Sequence, residues 1–416
     1  MFAGVWHKMS AFNIPTFDMG DDDALNLAWN YSMDQSDVLY PLGNSSLDKP
    51  DMSWLASGWN YTHVKPSICV ALKQYCMFRT VVDIFMVGML CVAGFVGNTL
   101  VIVVLQTDCL NMTVSFLLQA LAVADNMYLV ACFFMQTLKT LCECTDWIPK
   151  LKRVYPYMEP YVWPCASIAQ TVTVWLVVLI TVDRYCSIHK PFDKTWHFTK
   201  TTARRATVCI MLVAVAYNVP RFFEHVTVEM PNFCARAMQL FAMHSSLRKN
   251  RHYFIIYKTI LYFLFRVILP LGTLTVLNTR LIFTLRRARQ KQAILTKGSR
   301  KNDSITIILV AMVTVVIICE LPDFLIRTLV TVKAFTGLKV DVYYYNTVTN
   351  MLLTVNSSVN CLIYGLTGRR FRKILKRLFC RTCSSPRHRH LVADEHFPSD
   401  QTQRKKLAGT AKETTM

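Results

Sequence analysis

Residues 84–107, IFMVGMLCVAGFVGNTLVIVVLQT, contain no Asp, Glu, Lys or Arg. A helix needs about 20 mostly apolar residues to cross the hydrocarbon core of a bilayer, because no water is available there to solvate charged groups or open backbone. This stretch is long enough and apolar enough to span a membrane as a helix. It predicts that the chain is a membrane protein.

Six further segments resemble this one, and together they predict seven membrane-spanning helices. In chain order the six are 109–138, 160–182, 206–220, 259–279, 304–326 and 342–368. Asp125 lies in the second predicted span and Arg266 in the fifth. Glu320 and Asp323 lie near one end of the sixth, and the fourth is the shortest. The predicted fold class is therefore an all-α membrane protein, a bundle of seven transmembrane helices.

The charge balance separates two classes of protein. Lys and Arg outnumber Asp and Glu by 46 to 26, a net charge of +20, yet only 17% of the residues are charged, against about 25% in soluble globular proteins. A nucleic-acid-binding protein would concentrate this excess on one soluble face, whereas a membrane protein would sort it between the two sides of the bilayer. The low charged fraction favours the membrane protein, with no nucleic-acid partner.

The excess positive charge is confined to three segments that seven spans place on one side of the bilayer. Residues 1–78 carry four Lys and eight Asp, whereas 186–205, 280–303 and the chain after Leu366 carry net charges of +4, +7 and +9. Basic loops face the cytosol. We therefore expect a multi-pass plasma-membrane protein with an extracellular N-terminus and a cytoplasmic C-terminus.

The two ends of the chain differ in composition from the spans. Residues 1–78 are rich in Asp, Ser and Asn without periodicity, which indicates a disordered extracellular tail. Its Asn-x-Ser/Thr sequons at Asn30, Asn44 and Asn60 predict glycosylation. Residues 1–20 lack an apolar core long enough for a signal peptide, so we expect the first span of the 79–367 domain to act as a signal anchor.

The segment 368–383 predicts a short amphipathic helix at the inner membrane surface. Apolar residues recur there every three to four positions among Arg and Lys, as in helices that lie on anionic lipid. Cys380 and Cys383 follow at once, and membrane-proximal cysteines of this kind indicate palmitoylation. Residues 384–416 then form a disordered cytoplasmic tail.

Isolated polar residues inside the spans are costly in a bilayer and usually face the bundle interior. They are Asn98, Asp125, Thr173, Asn356 and Asn360. One interpretation is a shared site for water or a sodium ion near Asp125, the one cofactor that we consider. The other is a set of hydrogen bonds that only holds the helices together.

Four motifs in the same order on seven spans resemble those of the rhodopsin-like G-protein-coupled receptors. They are Gly97-Asn98, Leu121-Ala122-Val123-Ala124-Asp125, Asp183-Arg184-Tyr185 with Pro191, and Asn360-Cys361-Leu362-Ile363-Tyr364. The resemblance covers about residues 79–383. It implies that Arg184 contacts a heterotrimeric G protein, that Asp183 restrains Arg184 at rest, and that Tyr364 swings inward on activation. Arrestin, a receptor kinase and membrane lipid are further candidate partners.

Two positions argue against familiar ligand classes of that family. Ala166 stands where amine receptors place an Asp, and Thr354 stands where opsins place a Lys. The stretches 217–224, 320–323 and 354–360 are instead similar to invertebrate FMRFamide-type neuropeptide receptors. This resemblance implies an extracellular peptide ligand, short and C-terminally amidated. Another peptide or a small ligand on the same fold is the alternative.

The candidate ligand pocket contains several charges. Glu320, Asp323 and Arg327 share one face of the sixth span, and Arg266 lies on the neighbouring fifth. Either an acid accepts a ligand guanidinium, or the pairs Glu320–Arg266 and Asp323–Arg327 neutralise each other. We favour internal pairing. Tyr262 and Tyr344 are further candidates for the mouth of the pocket, although tyrosines at the outer ends of spans more often mark the membrane interface.

An oxidising exterior permits disulfides among the exposed cysteines. These are Cys69, Cys76, Cys142, Cys144 and Cys234. The resembled family ties the third helix to the second outer loop, but Glu159 stands at the expected third-helix position. Cys234 then needs another partner, and Cys142, Cys144 and Cys165 all remain open.

Two other functional classes are weighed against a receptor. A transporter or channel would show repeated halves or paired broken helices, and we find no internal repeat. An enzyme would need a recognisable catalytic constellation, and none is present. The sequence therefore predicts a receptor that is not an enzyme.

Overall fold

The computed structural model describes residues 66–107, 112–189, 198–232, 237–295, 303–336, 343–368 and 371–377. The chain divides into two compact units, 1–368 and 369–416. The first contains the bundle. In the second, residues 371–377 are helical, within the segment predicted to form the amphipathic helix.

The first two helices, α1 and α2, each contain a π-helical stretch. Helix α1 consists of Pro66–Arg79, Thr80–Val87 and Gly88–Gln106. Helix α2 consists of Met112–Cys132, Phe133–Leu138 and Lys139–Cys144. Residues 66–78, which the sequence analysis placed in the outer tail, are thus helical. They carry only one charged residue, Lys73, and no helix-breaking residue after Pro66, which suits the first helical position.

Helix α3 spans Pro149–His189 and contains Pro156, Pro160 and Pro164. The three prolines recur every four residues, so the hydrogen bonds that they remove fall along one side of the helix. Helix α4 spans Lys200–Asn218 and continues as a 3₁₀ turn, Val219–Phe223. The hydroxyl of Thr199 caps α4 by accepting a hydrogen bond from the amide of Thr202 at 3.1 Å.

A β-hairpin that the sequence analysis did not predict follows α4. Strands β1, His225–Asn232, and β2, Ala237–His244, are antiparallel, with His225 opposite His244. The hydroxyl of Thr227 donates to the carbonyl of Pro156 in α3 at 2.8 Å. Because proline removes the backbone donor that would otherwise occupy such carbonyls, α3 has acceptors to offer here. The hairpin is thereby attached to the end of the bundle at which α3 begins.

The remaining helices complete the bundle. After a one-turn helix, Ser246–Lys249, helix α5 consists of Arg251–Tyr253, Phe254–Leu261, Phe263–Ile268 and Leu269–Leu295. Helix α6 spans Asp303–Thr336 with Pro322 inside, and α7 consists of Tyr343–Ser358 and Asn360–Thr367. Within the described residues, helices α1 to α5 are long and apolar enough to cross a membrane. Helices α6 and α7 coincide with the other two predicted spans.

The bundle exposes apolar side chains and buries polar ones, the reverse of the distribution in a soluble protein. Large apolar side chains such as Met89, Leu212 and Leu362 are more than half exposed, whereas Asn98, Asp125 and Thr354 are fully buried. Such an exterior suits hydrocarbon, which offers no hydrogen bonds to polar groups. The chain is therefore an α-helical, multi-pass membrane protein.

Two glycines of α1 permit close contact with α7. A Cβ atom at Gly94 would lie 2.6 Å from the Cβ of Ser358, and one at Gly97 would lie 2.9 Å from the Cβ of Cys361. These distances are shorter than van der Waals contact, so larger residues would push the helices apart. Small residues at helix interfaces serve this purpose in membrane bundles. Gly97 thus explains part of one sequence motif.

A disulfide between Cys76 and Cys144 joins α1 to the last residue of α2, with the two Cα atoms 5.2 Å apart. Cys142 and Cys165 are free thiols, so their prediction as disulfide partners is wrong. Cys142 precedes Cys144 by two residues, or about 200° around a helix, and faces away from α1. Cys234 lies outside the described residues.

Replacing Cys76 or Cys144 with Ser should lower the stability of the bundle. The bond closes a loop with a sequence separation of 68 residues, and such links typically contribute about 2–4 kcal/mol. A thermal-unfolding assay of detergent-solubilised protein should show an equal fall in Tm for the two single variants and the double variant. Cys165→Ser, which removes a free thiol, is the control and should leave Tm unchanged. A double variant that loses twice as much as either single variant would contradict the bond.

Candidate functional site

A cavity of about 960 Å³ opens at the end of the bundle that carries the hairpin. Its walls come from α1, α2, α3, α6 and α7, with 3₁₀-turn, α5 and β2 residues completing them. Most ligand cavities are largely apolar with few polar groups, but this one is highly charged. The charged residues that line it are Lys73, Arg79, Lys139, Lys152, Arg153, Arg221, Arg266, Arg327, Asp83, Glu143, Asp146, Glu159 and Glu229.

On one wall, Arg79 of α1 connects α1 with α2. Its guanidinium donates to Asp83 at 3.1 Å, to Glu143 at 2.7 Å and to the hydroxyl of Thr140 at 2.6 Å. Thr140 in turn donates to Asp83 at 2.7 Å. Arg79 therefore has three partners whose oxygen atoms converge on one guanidinium. The sequence analysis did not identify this network, because Arg79 and Asp83 precede the first predicted span and Glu143 follows the second.

A second ion pair of the same wall joins α2 to α3. Lys139 Nζ lies 3.1 Å from Glu159 Oε1 and 3.5 Å from Glu143 Oε1, and both Lys139 and Glu159 are buried. Glu159 is the residue that stands where the resembled family places a disulfide cysteine. At this position α3 is thus connected to α2 by an ion pair. Because both charges are shielded from water, each depends on the other.

The opposite wall contains the sequence-predicted pocket residues of α5 and α6. Arg266 donates to the hydroxyl of Thr171 at 3.4 Å and lies 4.0 Å from Glu320 Oε2. Gln170 of α3 also reaches Glu320, at 3.5 Å. The Arg266–Glu320 pair is the longer and weaker of the two internal pairs that the sequence analysis favoured.

Asp323 makes the tighter pair. Its Oδ2 accepts from the Nε of Arg327 and from the hydroxyl of Tyr262, both at 2.9 Å, and Arg327 also lies over the Tyr262 ring. Arg327 and Tyr262 line the cavity, as does Arg266, but neither Asp323 nor Glu320 does. The cations therefore face the cavity and their acids lie behind them.

Tyr344, the remaining pocket candidate, lies against α1. Its ring packs edge-on against Tyr75 and Phe78, with centroids 5.2 and 5.0 Å apart. Tyr75 lines the cavity and Tyr344 does not. Tyr344 thus supports the wall from behind, which helical periodicity alone could not reveal.

Arg221 is a cavity residue that the sequence analysis did not select. It lies in the 3₁₀ turn after α4, is 6% exposed, and donates from Nη1 to the hydroxyl of Ser167 at 3.4 Å. Its position directly after Pro220, at the outer end of the fourth predicted span, was the available signal. A charge at a span end normally extends to the interface, so sequence reasoning places this side chain at the lipid headgroups.

Glu224 attaches the base of the hairpin to α5. It accepts from Arg248 and Lys258 at 3.2 Å each and from the Tyr253 hydroxyl at 2.7 Å. Burial alone would raise the pKa of Glu224, but the positive charges of Lys258 and Arg248 outweigh it and hold the pKa at about 2. Glu224 is therefore ionised across the physiological pH range, and the hairpin keeps its attachment.

Deeper in the bundle, Asp125 is the centre of a polar cluster. Its carboxylate accepts from Thr173 at 3.2 Å and from Asn360 at 2.6 Å, which connects α2, α3 and α7. Asn98 donates to the carbonyl of Ser357 at 2.9 Å, and its own oxygen is buried without a described partner. Asn356 is buried one turn before Asn360. The structure thus brings the predicted polar residues of three helices together.

The inner end of α3 holds the predicted coupling motif. Both the Nε, at 2.9 Å, and the Nη2 of Arg184 contact Asp183 Oδ2. The Tyr185 ring stacks on His189 with centroids 5.3 Å apart, and Tyr364 is buried. Pro191 lies outside the described residues, as do the predicted glycosylation sites at Asn30, Asn44 and Asn60 and the predicted palmitoylation sites at Cys380 and Cys383.

Comparison with protein families gives one match that covers most of the chain. Residues 84–382 match the model of the serpentine type 7TM GPCR chemoreceptor Srw. This range includes helices α2 to α7 and the coupling motif, together with the part of α1 from residue 84 onward.

Several receptors of known name are similar in sequence. The FMRFamide receptor of Drosophila melanogaster is 25% identical over 360 residues, which cover 85% of this chain but 63% of that receptor. The sex peptide receptor of the same species is 24% identical over 376 residues, covering 81% and 82% of the two chains. A probable G-protein coupled receptor of Caenorhabditis elegans, frpr-1, is 23% identical over 322 residues, covering 73% and 80%.

Replacing Lys139 with Met should be more destabilising than replacing Lys139 and Glu159 together. The single variant leaves a buried carboxylate without its main partner, a change that costs about 3–5 kcal/mol, whereas an apolar pair of similar volume is often tolerated. Tm measurements in detergent should therefore show partial recovery in Lys139→Met with Glu159→Leu. Lys152→Met, at an exposed pair with Asp146, should have little effect. Additive losses in the double variant would show that the two residues do not depend on each other.

Proposed function

Because the chain belongs to the serpentine-type seven-transmembrane G-protein-coupled receptors, we propose that it is a neuropeptide receptor that activates a heterotrimeric G protein. Its ligand is a short peptide, C-terminally amidated and FMRFamide-like. The protein is a receptor rather than an enzyme. The family supplies the link to the G protein, and the similar FMRFamide receptor supplies the ligand class.

The charged lining of the outer cavity is the observation that carries this proposal. Eight basic and five acidic side chains line one cavity of about 960 Å³. A small apolar odorant would displace water from these charged groups and offer them no hydrogen bond in return, at a cost in free energy. A peptide with an ammonium group, a guanidinium and several backbone amides can pair with them. The cavity chemistry therefore favours a peptide over an apolar chemical.

The same observation supports an assignment of the residues that contact the ligand. Arg266, Arg327 and Tyr262 face the cavity, whereas Glu320 and Asp323 lie behind them. We therefore assign ligand contact to the three cavity-facing side chains. Glu320 and Asp323 act as positioning residues, because each keeps a cation in place.

Helix α3 provides a physical route from the cavity to the cytosolic face. Thr171 lies against Arg266, Thr173 contacts Asp125 two residues later, and Asp183 holds Arg184 at the inner end. A ligand that moves the outer half of α3 or α6 can therefore alter the Asp125 cluster. In this proposal Arg184 leaves Asp183 to contact the G protein, and Tyr364 and Tyr185 move with it.

Further parts of the proposal concern the membrane and its other partners. The N-terminus is extracellular and glycosylated at Asn30, Asn44 and Asn60, and the C-terminus is cytoplasmic and palmitoylated at Cys380 and Cys383. Arrestin and a receptor kinase bind the cytoplasmic side. The net charges of the cytosolic segments support this orientation.

A sodium ion at Asp125 is proposed to stabilise the inactive receptor. The site offers the hard oxygen ligands that such cations prefer, and the buried Asn98 oxygen is available for one more contact. Replacing Na⁺ by choline should increase peptide potency in membranes of the parent receptor. Asp125→Asn should remove this difference. An equal sodium response in both proteins would contradict the proposed site.

A panel of synthetic amidated peptides, including Phe-Met-Arg-Phe-amide, should identify activators of the receptor expressed in cultured cells. We expect at least one peptide to produce a concentration-dependent second-messenger signal. Arg184→Ala should abolish the signal while peptide binding persists, since the change lies at the cytosolic end of α3.

Surface labelling of both proteins provides the control for expression. The Arg184→Ala protein must appear at the surface in parent-like amounts. A parent receptor that is present at the surface and silent to every peptide would reject the peptide assignment. A full signal from Arg184→Ala would reject the assigned role of Arg184.

A further inference from the structure

Arg221 differs from four other cations that line the cavity. Arg79 lies 2.7 Å from Glu143, Lys139 lies 3.1 Å from Glu159, and Arg327 lies 2.9 Å from Asp323. Arg266 has Glu320 at 4.0 Å. Arg221 forms no ion pair with any residue that the structure describes. Its one hydrogen bond, to Ser167, is long at 3.4 Å.

The environment of Arg221 compensates only in part for the missing ion pair, because the negative charge of Glu224 attracts the guanidinium without lying at ion-pair distance from it. Its Nε is buried and makes no hydrogen bond within the described part of the chain. The Tyr257 ring lies 5.9 Å away and offers only a weak cation–π contact. The acid that is closest in sequence, Glu224, already accepts from Arg248, Lys258 and Tyr253. Burying a guanidinium with so few partners lowers the stability of the folded receptor.

A second guanidinium lies next to Arg221 on the same ridge of α3. Arg221 reaches Ser167 and Arg266 reaches Thr171, and these two residues are one helical turn apart, about 6 Å along the axis. Asn218 also donates to Thr171, at 3.3 Å. Both arginines and Asn218 line the cavity. This part of the wall therefore has two guanidinium groups, of which, among the described residues, Arg266 has a carboxylate at ion-pair distance, Glu320, and Arg221 does not.

The geometry points to Arg221 as the residue that binds a carboxylate of the peptide ligand, and this inference rests on the proposed peptide-receptor function. A guanidinium presents its donors in a planar fork that matches the two oxygens of a carboxylate. The cavity-facing Arg221 has free donors, and Arg266 adds positive charge beside it. A carboxylate bound there gives Arg221 the ion-pair partner that the described part of the chain does not supply.

Two parts of a peptide share this chemistry. One is the side chain of an acidic residue, and the other is a free C-terminal carboxylate. An amidated ligand lacks the second, so the acidic side chain follows from the proposed function. The ligand is then an acidic member of the amidated peptides, with an Asp or Glu side chain that reaches Arg221.

Four synthetic probes separate these two sources in the second-messenger assay. Asp-Phe-Met-Arg-Phe-amide and Asn-Phe-Met-Arg-Phe-amide differ only in a side-chain charge. Phe-Met-Arg-Phe with a free C-terminus and its amide differ only at the terminal group. We expect the Asp peptide to be about tenfold more potent than the Asn peptide, as a charge-assisted bond to a buried partner commonly provides.

The variant Arg221→Gln should abolish this preference while retaining a signal from the Asn peptide. Lys152→Gln is the matched control, because Lys152 also lines the cavity but lies at an exposed pair with Asp146. It should retain the tenfold preference. Equal potency of the Asp and Asn peptides on the parent receptor, with no gain for the free acid, would overturn the inference. An unchanged preference of Arg221→Gln for the Asp peptide over the Asn peptide would also overturn the inference. A gain for the free acid alone, lost in Arg221→Gln, would support the carboxylate site and identify the C-terminus as its source.

Thermal unfolding of purified receptor tests Arg221 without an agonist. N-acetyl-aspartate amide at millimolar concentration should raise the Tm of the parent receptor, N-acetyl-asparagine amide should not, and Arg221→Gln should respond to neither. Without any probe, Arg221→Gln should unfold at a higher temperature than the parent, since it loses a buried unpaired charge.

These measurements distinguish failure of the inference from failure of the proposed function. Silence to every peptide together with stabilisation by the carboxylate probe would reject the peptide assignment and retain the Arg221 site. Peptide activation without an Asp preference or carboxylate stabilisation would retain the peptide receptor and reject the Arg221 site.

Discussion

A charged or polar side chain inside a membrane bundle must find a partner within the protein, and this constraint organises the whole structure. Water is absent from the hydrocarbon region, so an unpaired group there has no alternative. Asp125 obtains hydrogen bonds from two other helices, Lys139 pairs with Glu159, and Asp323 pairs with Arg327. The Asp125 and Lys139–Glu159 contacts determine how different helices face each other, whereas Asp323 and Arg327 pair within α6. Among the described residues, the buried Arg221 departs from this rule because it forms no ion pair, and the proposed ligand site rests on that departure.

Helix α3 is the common partner in most of these contacts. Along its length, Glu159 meets α2, Ser167 meets the turn after α4, Thr171 meets α4 and α5, and Thr173 meets the Asp125 cluster. The same helix ends at the Asp183–Arg184 pair. A rigid element with contacts at every level can transmit a displacement from one end to the other, provided that each contact has an alternative arrangement. The weak Arg266–Glu320 pair, at 4.0 Å, is the contact best suited to rearrange.

Much of the fold could be predicted because apolar length is a local property of the sequence. The charge-free run 84–107 and the six related segments all correspond to helices. Helix ends were harder to predict. Residues 66–78 extend α1 and 149–159 extend α3 beyond the apolar runs, because charges such as Arg79 and Glu159 are paired inside the bundle. The β-hairpin was missed because its attachment depends on Thr227, Glu224 and distant partners.

The sequence by itself determined the seven-helix class, the charge asymmetry and the coupling motif of this receptor. These features depend on composition, spacing and local order along the chain. Only the tertiary structure decided which cysteine pairs with Cys76, that cations rather than Glu320 and Asp323 face the cavity, and that Arg221 forms no ion pair within the described part of the chain. Pairing is a property of distance in space, and residues such as Ser167 and Arg221, far apart in the sequence, become neighbours only when α3 and α4 pack.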